Sequence, residues 1–275
     1  MPSDHTTLVL GGASGKTGRR VVERLAARGV PTRVGSRSGE PPFDWNDRTT
    51  WARALDGVSA AYIAYVPDLA IPGAAQTVDA FARQAVEAGV RRLVLLSGRG
   101  EEEAHRTERR VADAGAEWTV IRCSWFSQNF SEGVFADAVR AGELALPVGD
   151  VPEPFVDVED IADVAVAALT EAGHAGEVYE LTGPQLLSFE QAVAEIAAAT
   201  GRPIAFVPVA GDDFMAAMRE QGVAEDELWL IRYLFNEVLD GRNAQLADGV
   251  QRCLGREPRS FTDYARRTAA TGVWG

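Results

Sequence analysis

From Thr6 to Arg122, short apolar runs alternate with longer stretches in which apolar residues recur every three or four positions. The short runs are typical of buried β-strands, and the intervening periodicity predicts helices that pack on a sheet. This alternation predicts βαβ units around a parallel sheet, and therefore an α/β fold. The predicted strands are Thr7–Leu10, Thr32–Ser36, Ala60–Tyr65, Arg92–Ser97 and Trp118–Arg122.

Beyond Arg122 the alternation weakens. The pattern predicts a helix over 130–141, another over 160–169 and one further buried strand over 177–181. From Ser188 onward the apolar spacing is mostly helical. We therefore expect a doubly wound parallel-sheet domain over residues 1–184 and a smaller, mostly helical carboxyl-terminal lobe over 185–275, to which residues 123–155 contribute.

A glycine-rich loop follows the first strand directly. Its glycines are three residues apart and lie where the strand gives way to a helix. Glycines at such a place let the backbone turn tightly and approach a pyrophosphate, and the helix amino terminus presents N–H groups and a partial positive charge. This context is the dinucleotide fingerprint of a Rossmann fold. The glycines are Gly12, Gly15 and Gly18, and the residues expected to hold the cofactor are Gly12, Ser14, Gly15, Lys16 and Thr17.

The phosphate loop of nucleotide hydrolases is the competing interpretation of these residues. Gly15-Lys16-Thr17 resembles the end of the motif Gly-x-x-x-x-Gly-Lys-Ser/Thr. That motif also needs a glycine at position 10, where this chain has Leu10. A second acidic motif for magnesium is not evident either, so the pattern favours a dinucleotide.

The end of the second predicted strand bears on the choice of nicotinamide cofactor. In such folds an acidic residue there binds the ribose of NAD, whereas an arginine accommodates the 2′-phosphate of NADP. The strand ends in Ser36 and Arg37, with no acidic residue at that point. We therefore expect Ser36 and Arg37 to favour NADP(H), with NAD as the second choice. The alternative is that Arg37 is simply an exposed residue of an arginine-rich chain.

The balance of charge narrows the range of partners. A formal net charge of −13 and a pI near 4.8 argue against nucleic acid and anionic membranes, because both require a concentrated cationic surface. The sequence has no apolar run long enough to cross a bilayer and no leader-like amino terminus. Cys123 and Cys253 form neither a metal spacing nor a disulfide framework. We expect a cytoplasmic protein that acts on a small molecule.

Four segments of the chain share a pattern with a known family. They are Leu8–Gly18, Ser36-Arg37, Ala88–Val94 leading to Ser97, and Trp118–Arg122 followed by Phe126–Phe130. Together they resemble the NmrA-like branch of the atypical short-chain dehydrogenases, over most of residues 7–182. The resemblance implies NADP(H) binding and a ligand cleft under the carboxyl-terminal lobe. It also implies an activity within a group that ranges from quinone reductases to redox sensors that catalyse nothing.

The chain departs from ordinary short-chain dehydrogenases at their proton donor. Those enzymes place a tyrosine and a lysine four residues apart, so that a phenol of lowered pKa can exchange a proton with the substrate. The only lysine here is Lys16, in the glycine loop, so no such pair exists. Where the family would carry the pair, residues 101–106 read Glu-Glu-Glu-Ala-His-Arg. A missing general acid costs roughly 10²–10⁴ in rate, so either another group supplies the proton or the substrate needs none.

Ser97 and His105 are the candidate substitutes for that donor. Ser97 ends the fourth strand, at the sheet edge where such folds bind their ligands, and is also expected to contact the cofactor. His105 can donate a proton near neutral pH. The alternatives are that Ser97 caps a helix and that His105 is a surface residue of a polar helix.

Other side chains are expected to line the cofactor and the substrate. Tyr65, Val66 and Pro67 end the third strand and should flank the nicotinamide or its ribose. Asp44 and Trp45 are expected beside the adenine, unless Trp45 packs on the sheet edge. The loop after the fifth strand is expected to wall the substrate cleft, unless its aromatic residues belong to the core. Its residues are Cys123, Ser124, Trp125, Phe126 and Asn129.

The leading functional hypothesis is an NADP(H)-dependent oxidoreductase that acts on a small aromatic or quinone-like molecule, with a biosynthetic pathway as one setting. A hydride can reach a conjugated acceptor whose oxygen is protonated later by water, so a quinone demands no tyrosine. The alternative is a non-catalytic NADP(H)-binding redox sensor that acts through a protein partner, which the missing Tyr/Lys pair favours. A third option is an enzyme that holds its dinucleotide tightly or only structurally.

Overall fold

The computed structural model describes residues 6–12 and 14–275, so the first five residues of the expected cofactor domain lie outside the described part. The contacts between residues divide the chain into two compact units. Unit 1 comprises residues 1–123, 159–180 and 249–256. Unit 2 comprises residues 124–158, 181–248 and 257–275. The two units are interleaved along the chain rather than consecutive.

Within the described residues, the strands form one six-stranded sheet and one two-stranded sheet. The order in the large sheet is β2-β1-β3-β4-β5-β7, and the small sheet pairs β6 with β8. The strands are β1 Thr6–Leu10, β2 Thr32–Gly35, β3 Val58–Ile63, β4 Arg92–Gly98, β5 Glu117–Cys123, β6 Glu143–Leu146, β7 Glu177–Leu181 and β8 Ala205–Pro208.

The helices connect the strands and, after β7, make up most of the chain. In the described part, none of them is long and apolar enough to cross a bilayer. They are α1 Lys16–Ala27, α2 Trp51–Leu55, α3 Ala74–Glu87, α4 Glu102–Ala112, α5 Asn129–Glu132, α6 Ala136–Ala141, α7 Val158–Thr170, α8 Phe189–Thr200, α9 Gly211–Glu220, α10 Glu225–Tyr233, α11 Gly249–Leu254 and α12 Phe261–Ala269.

The large sheet is a doubly wound Rossmann sheet, as the sequence predicts. Strands β2, β1, β3, β4 and β5 pair in parallel. The chain leaves β1 for β2 on one side and returns to β3 on the other, so the strand order reverses between β1 and β3. In such sheets the ligand binds outside the carboxyl ends of the strands at this reversal. The glycine loop follows β1 at that edge.

One apolar cluster of unit 1 lies on the α3 and α4 side of the sheet. Leu93 and Leu95 of β4 are fully buried, and they belong to one apolar cluster with Phe81 of α3 and Val111 of α4. At Ser97 the same face of β4 becomes polar. The apolar face of the sheet thus ends where the ligand edge begins.

Unit 2 is built around a cluster of aromatic side chains. The Trp274 side chain is 1% exposed, and its indole N–H donates to the carbonyl oxygen of Phe130 at 2.8 Å. Helix α8 begins with a capping box, in which Ser188 and Gln191 satisfy each other's backbone N–H groups. The buried aromatic residues of this cluster are Phe130, Phe135, Phe155, Phe189, Phe261, Tyr264 and Trp274.

Three elements differ from the prediction. The single helix expected over 130–141 is interrupted, because Gly133 is extended and separates α5 from α6. The small β6–β8 sheet was not predicted, since four-residue strands leave too short an apolar pattern to recognise. The third strand ends at Ile63 rather than Tyr65, so Tyr65 lies in the loop beyond the sheet.

Candidate functional site

The glycine loop leaves the first turn of α1 open to an anion. Gly15 is the N-cap of α1 and makes no side-chain capping hydrogen bond. A Cβ on Gly15 would lie 2.5 Å from the carbonyl oxygen of Gly11, and a Cβ on Gly18 would collide with the same atom. Both positions therefore require glycine. Ser14 is exposed, whereas Thr17 is only 4% exposed. The exposed backbone at a helix amino terminus suits a pyrophosphate.

The end of β2 presents one side chain outward. The carbonyl oxygen of Ser36 accepts hydrogen bonds from the N–H groups of Gly39 and Phe43, which fixes the turn. The Arg37 side chain is exposed and makes no ion pair or hydrogen bond with the described residues. Arg33, by contrast, donates to the carbonyl oxygens of Ala54 and Asp56. Arg37 is thus the guanidinium of this strand end that stays available to a ligand.

Asp44 and Trp45 both make contacts with other residues of unit 1. The Asp44 carboxylate accepts from the Asn46 N–H at 2.9 Å. The Trp45 ring packs against Phe43, Phe81 and Tyr65 with centroid distances of 5.0, 5.2 and 5.0 Å. This is the packing role that the sequence left open for Trp45. Their contact with an adenine stays a prediction.

The loop after β3 carries the three residues expected beside the nicotinamide. Tyr65 is half-buried against Trp45, Val66 is 61% exposed and Pro67 is exposed. An exposed valine at the carboxyl edge of the sheet provides apolar surface where a ring can lie. The role of these residues at the cofactor stays a prediction.

Ser97 lies in a buried polar network. It is 5% exposed, and its hydroxyl donates to Glu108 of α4 at 2.6 Å. The Arg122 guanidinium donates to both carboxylate oxygens of Glu108 and reaches Glu180 at 3.2 Å, and Arg99 reaches Glu180 at 3.3 Å. The Ser97 hydroxyl proton is therefore hydrogen-bonded to a carboxylate, and the roles of Ser97 as a proton donor and as a cofactor contact stay predictions. Ser97 is also part of β4 rather than a helix cap.

His105 lies on α4, one turn after Glu101. The residue is partly buried, and its Nε2 atom is buried without a hydrogen-bond partner among the residues described. The His105 ring is therefore only partly exposed, rather than fully at the surface as the alternative interpretation expected. Its role as a proton donor stays a prediction.

Two carboxyl groups that the sequence reasoning missed lie at the ligand edge of the sheet. Glu101 precedes α4 and is 8% exposed, and its side chain hydrogen-bonds to Asp68 in the loop after β3. Burial and the neighbouring Asp68 raise the pKa of Glu101 well above its usual range, and burial also raises the pKa of Asp68. The helical spacing of Glu101 with Ala104 and Glu108, all buried, was the available signal.

The residues expected to wall the substrate belong to different units. Cys123 ends β5 in unit 1, and burial raises the pKa of its thiol, so it is neutral. In unit 2, Trp125 is half-buried and stacks on Phe135 with a centroid distance of 6.1 Å. The other expected residues of unit 2 are Ser124, which is buried, and Phe126 and Asn129, which are partly buried.

The Gln-Asn-Phe segment has a structural role in unit 2. The Gln128 amide donates to Asp157 at 2.7 Å and accepts from the Val158 N–H at 2.9 Å. Asp157 is 1% exposed and is also paired with Arg267. Gln128, in one of the segments that resemble the family, therefore connects buried groups in the interior of unit 2. As for metals, no group of three or more His, Cys, Asp or Glu side chains could hold an ion in the residues the structure covers.

The chain is similar to redox proteins along nearly its whole length. A family model described as NAD(P)H-binding matches residues 12–172. The chain is 31% identical over 256 residues to the NAD(P)H azoreductase of Xenophilus azovorans, which covers 90% of this chain and 85% of that protein. It is 31% identical over 276 residues to the agroclavine dehydrogenase of Claviceps fusiformis, which covers 94% of this chain and 96% of that protein.

A solved structure shares the fold. The NADPH-dependent quinone oxidoreductase of Escherichia coli, complexed with NADPH, aligns with a TM-score of 0.75 at 21% identity. The alignment covers 95% of this chain and 99% of that chain. Both units of the present chain therefore have counterparts in that fold.

Proposed function

Since the chain belongs to the NAD(P)H-binding family, in the NmrA-like branch of the atypical short-chain dehydrogenases, we propose that it uses NADPH to reduce a small aromatic or quinone-like molecule. It is an NAD(P)H-dependent oxidoreductase by family. The alternative of a non-catalytic redox sensor is not favoured, because both curated relatives described above are named for redox reactions. The class of acceptor and the preference for NADPH are the new elements of the proposal.

The residues of unit 1 fit a nicotinamide dinucleotide. The observation that supports this fit is the glycine cradle, which a Cβ at Gly15 or Gly18 would fill. The first turn of α1 would hold the pyrophosphate, together with Ser14, Lys16 and Thr17. When bound, the cofactor supplies a hydride.

An aromatic or quinone-like acceptor is the substrate class that best suits the chain. Its azoreductase relative and its quinone oxidoreductase neighbour are both named for conjugated acceptors. Such acceptors spread the incoming charge over several atoms. We propose that Trp125 and Phe126 provide ring-stacking surface for them in unit 2, since Trp125 is only half-buried among its aromatic neighbours.

The experiment that tests the proposed function is an assay of NADPH oxidation. A panel of benzoquinones and naphthoquinones, together with an azo dye, is offered to the purified chain. We expect turnover that depends on the acceptor for at least one compound of the panel. Turnover at background rate with every member would contradict the proposal.

The Arg37→Ser variant is expected to bind NADPH about 10- to 100-fold more weakly and NADH with unchanged affinity. The reason is that a charge-assisted hydrogen bond to the 2′-phosphate, about 1.5–3 kcal/mol, is lost. Fluorescence titration with NADPH and with NADH measures the two affinities. Arg53→Ser is the matched control, because Arg53 is another exposed arginine of unit 1. If Arg37→Ser weakens the binding of both cofactors equally, Arg37 does not recognise the 2′-phosphate of NADPH.

A further inference from the structure

Asp68 and Glu101 meet at the edge of the sheet where the ligand is expected. Asp68 directly follows Val66 and Pro67 in the loop after β3, and Glu101 lies shortly after β4. Strands β3 and β4 are parallel neighbours, with Ile63 paired to Leu95. Both carboxyl groups therefore lie beyond the carboxyl ends of the strands, on the side of the sheet edge that the nicotinamide residues were expected to occupy.

The contact between the two side chains requires a proton. A carboxylate only accepts hydrogen bonds, so two carboxyl groups can bond to each other only when one of them is protonated. The Glu101 and Asp68 side chains are hydrogen-bonded, and Asp68 also accepts from the Ala70 N–H at 2.8 Å. Glu101 is the more deeply buried member, and burial together with Asp68 raises its pKa well above its usual range, so we assign the proton to Glu101. Asp68 is partly exposed and is the member that a ligand or water can reach.

The surroundings keep this proton in place. Among the residues that the structure describes, neither carboxyl group is paired with a cation. The other titratable group that faces Glu101 is Glu108 of its own helix, and Arg122 of β5 compensates the Glu108 charge. The Glu101 carboxyl group lies directly against Gly98 of β4, where a Cβ would meet it. Burial, a like charge and the absence of a cation all disfavour a second negative charge.

We propose that the Asp68–Glu101 pair is the proton donor that replaces the missing Tyr/Lys pair. The inference rests on the proposed reductase function. The acceptor gains a hydride from NADPH at one atom, and the negative charge that develops on its oxygen or nitrogen receives the proton of the pair. NADP⁺ and the neutral reduced acceptor are the products, and water returns a proton to the pair. A carboxylic acid kept neutral by its surroundings can also stabilise the developing charge by a hydrogen bond before the proton moves.

The first test detects the bound proton directly and does not require enzymatic turnover. Infrared spectra of the full chain at neutral pH are expected to show the carbonyl stretch of a protonated carboxylic acid, which Glu101→Gln removes. Glu103→Gln is the matched control, because Glu103 is a partly exposed glutamate of α4 that pairs with Arg106. A wild-type spectrum without the band, or a band that persists in Glu101→Gln, would overturn the inference.

The pH dependence of stability gives a second readout. The folded chain holds a proton on Glu101 at pH values where an unfolded glutamate has lost it, because its pKa is raised by burial and by Asp68. The folded state then binds more protons than the unfolded state, so the free energy of unfolding falls as pH rises through that window. Glu101→Gln is expected to remove this component of the slope and Glu103→Gln to keep it.

The kinetic test separates this inference from the proposed function. With NADPH and the best acceptor of the panel, Glu101→Gln is expected to lower kcat by about 10²-fold while NADPH binding is unchanged. Asp68→Asn is expected to lower kcat as well, and the wild-type rate should fall as pH rises and the pair ionises. If both variants reduce the acceptor at the wild-type rate, the inference is wrong and the reductase function stands. If wild type reduces nothing while the infrared band is present, it is the proposed function that fails.

Discussion

Gly15→Asp is expected to weaken NAD(P)H binding by at least a factor of about 100, which corresponds to about 2.8 kcal/mol. Two effects act in the same direction. A Cβ at this position would lie 2.5 Å from the Gly11 carbonyl oxygen, so the turn has to shift. The new carboxylate would also lie at the helix end where the cofactor brings its own negative charge, and like charges repel at short range.

Titration of nicotinamide fluorescence measures this loss. Gly149→Asp is the matched control, since it adds the same charge at a glycine of unit 2 where a Cβ meets no atom within 4 Å. The control is expected to bind NADPH like the wild type. Wild-type affinity in Gly15→Asp would remove the basis for placing the pyrophosphate at α1.

Arg122→Met is expected to reduce the free energy of unfolding by about 3–5 kcal/mol. The variant leaves the Glu108 carboxylate, whose side chain is 6% exposed, without the guanidinium that donates to both of its oxygens. Breaking one member of a buried ion pair is costly, because the remaining charge has lost both water and partner. Ser97 and the Glu180 carboxylate lose part of the same network.

Urea denaturation measures this effect. Arg106→Met is the control, because Arg106 pairs with Glu103 at a surface where both side chains are largely exposed, and such pairs contribute about 0–1 kcal/mol. The double variant Arg122→Met with Glu108→Leu removes both charges and is expected to recover most of the loss. Equal stability of Arg122→Met and Arg106→Met would show that the network does not support the sheet edge.

The sequence allowed the Rossmann sheet and the glycine loop to be predicted because both depend on local patterns. Period-two and helical spacings identify buried strands and their helices, and glycines between a strand and a helix identify the loop. Gly15 and Gly18 lie where the pattern placed them, with no room for a side chain. The short strands β6 and β8 could not be recognised, because four residues leave too short an apolar pattern.

The polar interior of unit 1 was the harder part to predict. Spacing along α4 shows which residues face the sheet, but it does not show what lies opposite them. Ser97 looked like a reactive hydroxyl at a ligand edge, whereas its partner Glu108 is supplied by the next helix. Glu101 is the first of three consecutive glutamates in the sequence, and only the loop after β3 brings Asp68 against it. Such pairs depend on tertiary contacts, which a single sequence does not reveal.

The interleaving of the two units has a consequence for how the protein is made. The chain crosses between them at 123/124, 158/159, 180/181, 248/249 and 256/257. Gly249 packs so closely on the backbone of Glu180 that a Cβ there would collide with it, and Arg256 pairs with Asp160 and Asp163. Unit 1 is therefore complete only once residues 249–256 have been synthesised.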